Sequence, residues 1–277
     1  MQVVQTAAEL RHALAGSRNV TLVPTMGNLH EGHLSLVRMA RERAGVVVAS
    51  VFVNPLQFAP HEDFARYPRT LERDCRLLAA GGCDIVFAPS EQEIYPEPQE
   101  YKVLPPARLA DILEGQFRPG FFTGVCTVVL KLFNMVQPTA AVFGKKDYQQ
   151  LLLIRNLVRQ FALPIEILPA EIVRDSSGLA LSSRNGYLSD MERVEAAQLN
   201  AVLKRVASAL NAGRIDWTAL EREAVDALTE RGWRPDYVAI RNRTGLAAPT
   251  RGDDLVVLGA AALGGTRLID NVEVGVP

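Results

Sequence analysis

The chain has 277 residues, 48% of them hydrophobic and 22% charged, with a formal net charge of -1 at pH 7. That length suits two domains of unequal size, and the near-zero charge excludes a broad basic field, so nucleic acid is not an expected partner. Cys75, Cys83 and Cys126 form no C-x-x-C pair and are odd in number, and no secretory signal or run of ~20 apolar residues is present, so a reducing cytoplasm is expected, without membrane insertion.

The elements alternate along most of the chain. Thr6 to Ala15 read as an opening helix, with Thr6 as N-cap and Glu9 three residues later completing a capping box. Val20 to Val23 predict a buried strand broken by Pro24 and Gly27, and Leu34 to Arg43 have the apolar spacing of a helix ending at Gly45. Val46 to Val53 are apolar on both faces, as in a central parallel strand. A helix over Arg69 to Ala80, a strand over Asp84 to Ala88, a helix over Thr123 to Val136, a strand over Ala140 to Phe143, a helix over Asp147 to Phe161 and a strand over Ile165 to Leu168 follow. Between them, Ser90 to Pro106 form a Pro- and Glu-rich excursion with an edge strand expected near Tyr101 to Leu104. This rhythm predicts an open parallel α/β sheet with ligands at the carboxyl ends of its strands. After Val173 the texture changes: Asp175-Ser-Ser-Gly178 reads as a flexible link, helices are expected over Asp190 to Ala212 and Trp217 to Arg231, and strands over Asp236 to Arg241, Leu255 to Leu263 and Thr266 to Val272. The expected organisation is a nucleotide- and substrate-binding domain over 1–174 and a smaller α+β domain over 175–277.

Four stretches carry chemistry. The first, Thr21 to His33, runs a strand through a glycine turn into a helix start, where unpaired backbone N–H groups and the positive dipole end favour a phosphate. His30 and His33, three residues apart, share a helix face; capping or surface histidines are the plain alternative. His30-Glu31-Gly32-His33 is one residue short of the zincin H-E-x-x-H, which displaces the glutamate and second ligand from the geometry of that motif. In the second, Phe52 to Phe58, Asn54 and Gln57 follow a central strand, where amides orient hydroxyl and carboxylate groups without adding charge; a solvated turn is the alternative.

The third, Phe143-Gly-Lys-Lys-Asp-Tyr-Gln-Gln150, again follows a strand with a glycine, cations and a helix. Lys145 or Lys146 can neutralise a phosphate, and Asp147 can hold a ribose hydroxyl or simply cap the helix. Two lysines at a helix N-terminus are unfavourable unless an anion joins them. The fourth, Leu181-Ser-Ser-Arg-Asn-Gly186, offers hydroxyl and guanidinium donors that can grip a polyphosphate, a plain turn being the alternative. Arg118 is a weaker candidate for an anionic substrate, and Asp74 is either a solvated helix residue or a metal-linked one.

Taken together, Pro24-Thr-Met-Gly-Asn-Leu-His-Glu-Gly-His33, Phe52-Val-Asn-Pro-Leu-Gln-Phe58, Phe143 to Gln150 and Leu181-Ser-Ser-Arg-Asn185 closely resemble the pantothenate synthetase (pantoate–β-alanine ligase) family. The resemblance covers essentially the whole chain. The H-x-G-H pattern alone is shared by a broad nucleotidyltransferase superfamily, whereas four motifs in order are specific. The resemblance implies a Rossmann-like N-terminal domain, a C-terminal lid and a homodimer. It also implies that (R)-pantoate and ATP give pantoyl adenylate and pyrophosphate, after which β-alanine gives pantothenate and AMP, with Mg²⁺ accompanying ATP. Carried over by motif, Met26, Gly27, Asn28, Leu29, His30, Glu31, Gly32 and His33 would contact ATP, as would Gly144, Lys145, Lys146 and Asp147. Val173, Leu181, Ser182, Ser183 and Arg184 would complete the ATP contacts. Gln57 and Gln150 would hold pantoate, with Asn54 beside them and Gln57 also meeting β-alanine. His33 is the family's proton-donor position, and His30 and Lys146 are its expected catalytic companions; the metal ligands are not assigned. The family's glycine loop commonly reads Gly-Glu-Lys-Asp, so Lys145 alters the charge around it.

Overall fold

Val3 and Val4 belong to a strand that the sequence reading did not assign: in the computed structural model, which describes residues 1–58 and 64–275, β1 (Gln2–Val4) forms one edge of the main sheet. The chain continues through α1 (Ala7–Ala13), β2 (Val20–Thr25), α2 (Glu31–Arg41), β3 (Val46–Val51), α3 (Leu71–Ala80) and β4 (Ile85–Phe87). Three four-residue helices, α4 (Glu91–Ile94), α5 (Ala107–Ala110) and α6 (Glu114–Phe117), lead to α7 (Phe121–Val136), β5 (Ala140–Gly144), α8 (Tyr148–Gln160) and β6 (Glu166–Ala170). The capping box of α1 forms as its sequence requires, with Thr6 and Glu9 exchanging side-chain bonds to each other's backbone.

Six strands pair in parallel in the order β1-β4-β3-β2-β5-β6. From β2 the sheet grows one way through β3 and β4 and the other way through β5 and β6. The order reverses between β2 and β5, and that reversal opens a crevice at the carboxyl ends of the strands. β2 and β3 are buried on both faces, which is why they read as unbroken apolar runs. Pro24 lies inside β2 rather than ending it. Its missing N–H is tolerated because the ladder to β5 is confined to Thr21 and Leu22, while the ladder to β3 runs on to Thr25. No strand forms over 101–104; Val103 donates its N–H to the Thr127 hydroxyl at 3.0 Å instead of to a sheet neighbour.

Helices α9 (Asp190–Asn211) and α10 (Trp217–Thr229) precede a three-stranded antiparallel meander of β7 (Arg234–Asn242), β8 (Leu255–Leu263) and β9 (Thr266–Glu273). Leu199, Val202, Leu203 and Val206 of α9 and Leu220 and Leu228 of α10 pack with Val238, Ile240, Val257 and Leu268 of the sheet. Each such aliphatic side chain contributes about 1.5–3 kcal/mol by leaving water. The chain divides into two compact units, Met1–Lys145 with Gln150–Glu171, and Lys146–Gln149 with Ile172–Pro277. The division passes between the two lysines of the third motif.

Candidate active site

The first unit contributes the histidine loop. After β2 the backbone turns through Gly27 and Asn28, both with positive φ (80° and 50°), and His30 caps α2. The Gly32 N–H donates to His30 Nδ1 at 3.1 Å, and the His30 N–H donates to His33 Nδ1 at 3.3 Å. The rings sit 4.1 Å apart between centroids. Because both Nδ1 atoms accept backbone protons, each neutral ring carries its own proton on Nε2 and can donate it to an anion. The capping alternative is thus realised without removing the chemical one. Glu31 pairs with Arg38 on the same helix.

Behind the loop stands Asp74. It is not solvated, and among the described residues it belongs to no group of three or more metal-ligating side chains: it is 0% exposed and accepts from the Asn28 and Leu29 N–H groups at 2.9 Å each and from the Thr70 hydroxyl at 3.0 Å. A Cβ on Gly27 would lie 3.0 Å from Asp74 Oδ2 and 3.0 Å from a Val51 methyl, so space and positive φ both require glycine there. A signal existed in the sequence. Asp74 lies three residues after Leu71 and four before Leu78, on the apolar stripe of α3, where a carboxylate must be bonded to be buried.

The Asn-Pro-Leu-Gln turn reaches the same loop, with Gln57 Nε2 donating to Met26 Sδ at 2.9 Å. Asn54 is 1% exposed and turned inward. Its oxygen accepts from the Leu56 N–H at 3.3 Å and the Tyr95 hydroxyl at 2.7 Å, and its nitrogen donates to Gln57 Oε1 at 3.1 Å and the Gly124 carbonyl at 3.2 Å. Burial pushes the Tyr95 hydroxyl up, keeping it protonated as a donor. Arg118 lies over the Phe121 ring and donates to the Gln57 carbonyl at 3.1 Å. Gln57 and Arg118 border a cavity of about 370 Å³ with Lys102, Phe121 and Thr123. Motif residues alone did not reveal Tyr95 and Gly124 as partners of this turn, since they lie 41 and 70 residues from Asn54.

At the end of β5, Gly144 leads into a 3₁₀ turn, Lys145–Asp147, that feeds α8. Lys145 is paired with Glu171 at 2.5 Å, so the extra cation of this loop is balanced within the first unit. Gln150, half-buried, lies in the first turn of α8.

In the second unit, Lys146 is held by its backbone: the Asn271 side chain donates to the Lys146 carbonyl at 3.0 Å. Among the described residues its ammonium has no carboxylate partner. Asp147 is exposed. Asp175 to Gly178 form a closed turn rather than a flexible link. Asp175 Oδ1 accepts from the Ser177 N–H and hydroxyl and the Leu179 N–H, and Arg174 bridges Ala180 across it. The Leu181 N–H donates to the Val173 carbonyl at 2.9 Å, bringing two of the expected nucleotide positions together. Ser182 caps the next turn by accepting from the Arg184 N–H at 3.2 Å, so Ser183 and Arg184 lie in its 3₁₀ helix.

The four motifs thus lie at strand ends and turns of an α/β sheet and a small antiparallel unit. The family model for pantoate-beta-alanine ligase matches residues 2–273. The chain belongs to that family. It is 61% identical to a pantothenate synthetase from Leptothrix cholodnii over 285 aligned positions, covering 99% of this chain and 100% of the relative. A pantothenate synthetase structure from Thermus thermophilus superposes with a TM-score of 0.94 at 45% identity, covering 99% of each chain. A pantoate-beta-alanine ligase from Francisella tularensis, solved with beta-gamma ATP and beta-alanine, gives a TM-score of 0.85 at 33% identity over 99% of this chain and 97% of that one. The chain is a ligase of this class, and its α/β architecture is the one those structures share.

Proposed function

We propose that the chain joins pantoate to β-alanine in two half-reactions, at the loops that carry its four motifs. The observation that carries this assignment is the Gln57 amide resting on Met26 at the start of the histidine loop, which joins an uncharged amide turn to a helix N-terminus. An anion-binding element beside an amide suits a carboxylate substrate with hydroxyl groups approaching a phosphate. The ATP and β-alanine bound by the Francisella relative support the same pair of substrates here.

In the first half-reaction a pantoate carboxylate oxygen attacks the α-phosphorus of ATP, and the bond to pyrophosphate breaks. Gln57 and Gln150 hold pantoate, with Asn54 setting the Gln57 amide. Met26, Gly27, Asn28 and Leu29 form the wall of the nucleotide site, and the Nε2–H groups of His30 and His33 donate to phosphate oxygens. Lys146 neutralises charge that develops in the transition state, and Ser182, Ser183 and Arg184 hold the departing pyrophosphate. In the second half-reaction the β-alanine amine attacks the acyl carbon, AMP leaves and the amine proton is lost. The second unit acts as a lid that keeps water from the acyl adenylate.

The donor set suits Mg²⁺ that arrives on the nucleotide. The loops supply cations, hydroxyls and amides with Asp147 as a carboxylate, and no group of three or more metal-ligating side chains gathers among the described residues. An ion of this type is commonly held by one or two carboxylates and substrate phosphates, and it would supply charge neutralisation on the phosphate oxygens. We further assign a homodimer, to be measured by sedimentation, and a cytoplasmic location, which three thiols outside any disulfide support.

The deciding measurement is pantoate-dependent exchange of labelled pyrophosphate into ATP, followed by release of AMP and pantothenate when β-alanine is added. Exchange that ignores pantoate, or a dinucleotide product in place of AMP, sinks the assignment.

A further inference from the structure

Asp270 breaks the pattern of its strand. Alternate residues of β9 face one side, and its neighbours on that side, Leu268 and Val272, pack against the core that α9 and α10 form with the sheet. A carboxylate takes the position between them and is only 5% exposed. Arg174 meets it with two bonds, at 2.6 and 2.9 Å, and Asn200 Nδ2 adds a third at 3.0 Å. Apolar residues of similar volume usually serve stability as well as such a buried pair does, or better. What the pair supplies instead is fixed geometry.

Each side of the pair leads to a different motif. The Arg174 guanidinium also donates to the Gly178 carbonyl at 3.1 Å, closing the turn that sets Val173 against Leu181 and feeds directly into Ser182, Ser183 and Arg184. It donates again to the Asn271 carbonyl at 3.2 Å, and the Asn271 N–H donates to Asp270 Oδ1 at 2.8 Å. Asn271 is the residue whose amide holds the Lys146 carbonyl. Two residues further on, Glu273 accepts from the Tyr148 hydroxyl at 2.9 Å and pairs with Arg243 at 2.9 Å. All these residues belong to the second unit.

We propose that the Arg174–Asp270 ion pair is a positioning device for ATP: it sets the serine–arginine loop and the Lys146 turn at a fixed separation, so that they meet the polyphosphate as one rigid set. This rests on the assignment of the nucleotide to those loops. Neither side chain touches the substrate in this role; both act through the loops they hold.

The test compares three variants with the parent protein: Arg174→Lys, the double variant Arg174→Met with Asp270→Leu, and Lys146→Ala. Arg174→Lys keeps the charge but loses the planar fork, and the double variant replaces the pair with apolar volume. Pyrophosphate exchange is measured with separate KM values for ATP and pantoate, alongside the melting temperature and the folded fraction. The two pair variants are expected to melt within about 5 °C of the parent. Their exchange should fall at least ~10-fold, with KM for ATP raised and KM for pantoate within about twofold, because small displacements of positioning groups cost rate rather than fold. A folded pair variant with near-parental exchange overturns the proposal, as does a loss of activity that merely follows the folded fraction. Lys146→Ala separates the two levels. If it leaves exchange intact, the loop assignment itself fails; if it removes exchange while the pair variants retain it, only the positioning role fails.

Discussion

Asp74 and His33 bond to successive residues of one loop and make different demands on it. The Asp74 carboxylate accepts the Asn28 and Leu29 N–H groups inside the protein, whereas the His33 ring accepts the His30 N–H at the mouth of α2. Asp74→Ala takes the carboxylate from one buried donor, the Leu29 N–H, and one half-buried donor, the Asn28 N–H, and should lower unfolding free energy by about 2–4 kcal/mol as read from urea midpoints. It should also slow adenylate formation, because the histidines sit at the end of the loop it anchors. His33→Ala should slow adenylate formation by at least ~10²-fold while stability stays within about 1 kcal/mol of the parent. Near-parental single-turnover rates in His33→Ala would remove that residue from the chemistry. An unchanged midpoint in Asp74→Ala would mean that the loop keeps its shape without the carboxylate. The histidines were legible in the sequence because their spacing and the following helix are local. Asp74 was visible only as an anomaly, since its partners lie 45 and 46 residues earlier in the chain.

At the scale of elements, the approach of α7 to the 3₁₀ turn Pro55–Gln57 decides where the Gln57 amide points. Gly124 makes that approach possible: a Cβ there would lie 2.1 Å from the Leu56 carbonyl oxygen and 2.9 Å from the Gln57 N–H nitrogen. Gly124→Ala must push the turn away from the helix. The expected result is a rise of about tenfold in KM for pantoate with KM for ATP little changed, read from initial rates with each substrate varied in turn. Unaltered kinetics for pantoate would show that Gln57 does not hold it. The sequence predicted nearly every helix and strand of the main sheet, because each carries its own period. It missed β1, whose three residues are too few for a period, and expected an edge strand near Tyr101 where the backbone instead bonds to Thr127. It also read Asp175 to Gly178 as a flexible link, although Asp175 can close such a turn on its own backbone, and does so here.

On the scale of the whole molecule, two thiols couple the first unit to pH. Burial pushes Cys83 from its ordinary 9.0 up to about 11 and Cys126 up to about 12. The folded protein therefore retains protons that the unfolded chain releases, so the thiols' contribution is fully present below pH ~9 and is lost as pH rises towards ~12. Urea midpoints should fall between pH 8 and pH 10.5 by more in the parent than in a Cys83→Ala, Cys126→Ala double variant. Equal falls would assign the alkaline loss to other groups, among them Tyr148, whose hydroxyl burial also pushes up.

By itself the sequence determined the parallel α/β sheet, the small α+β region after it and the four motifs, because strand and helix periods, glycine turns and capping residues act over a few neighbours. Only the tertiary structure decided how those motifs are held: Asp74 under the histidine loop, Tyr95 and Gly124 around the amide turn, Glu171 against Lys145, and Asp270 between Arg174 and Asn200. These are contacts between residues far apart in the chain, fixed by burial and by the cost of leaving a buried polar group unbonded, and no local period encodes them.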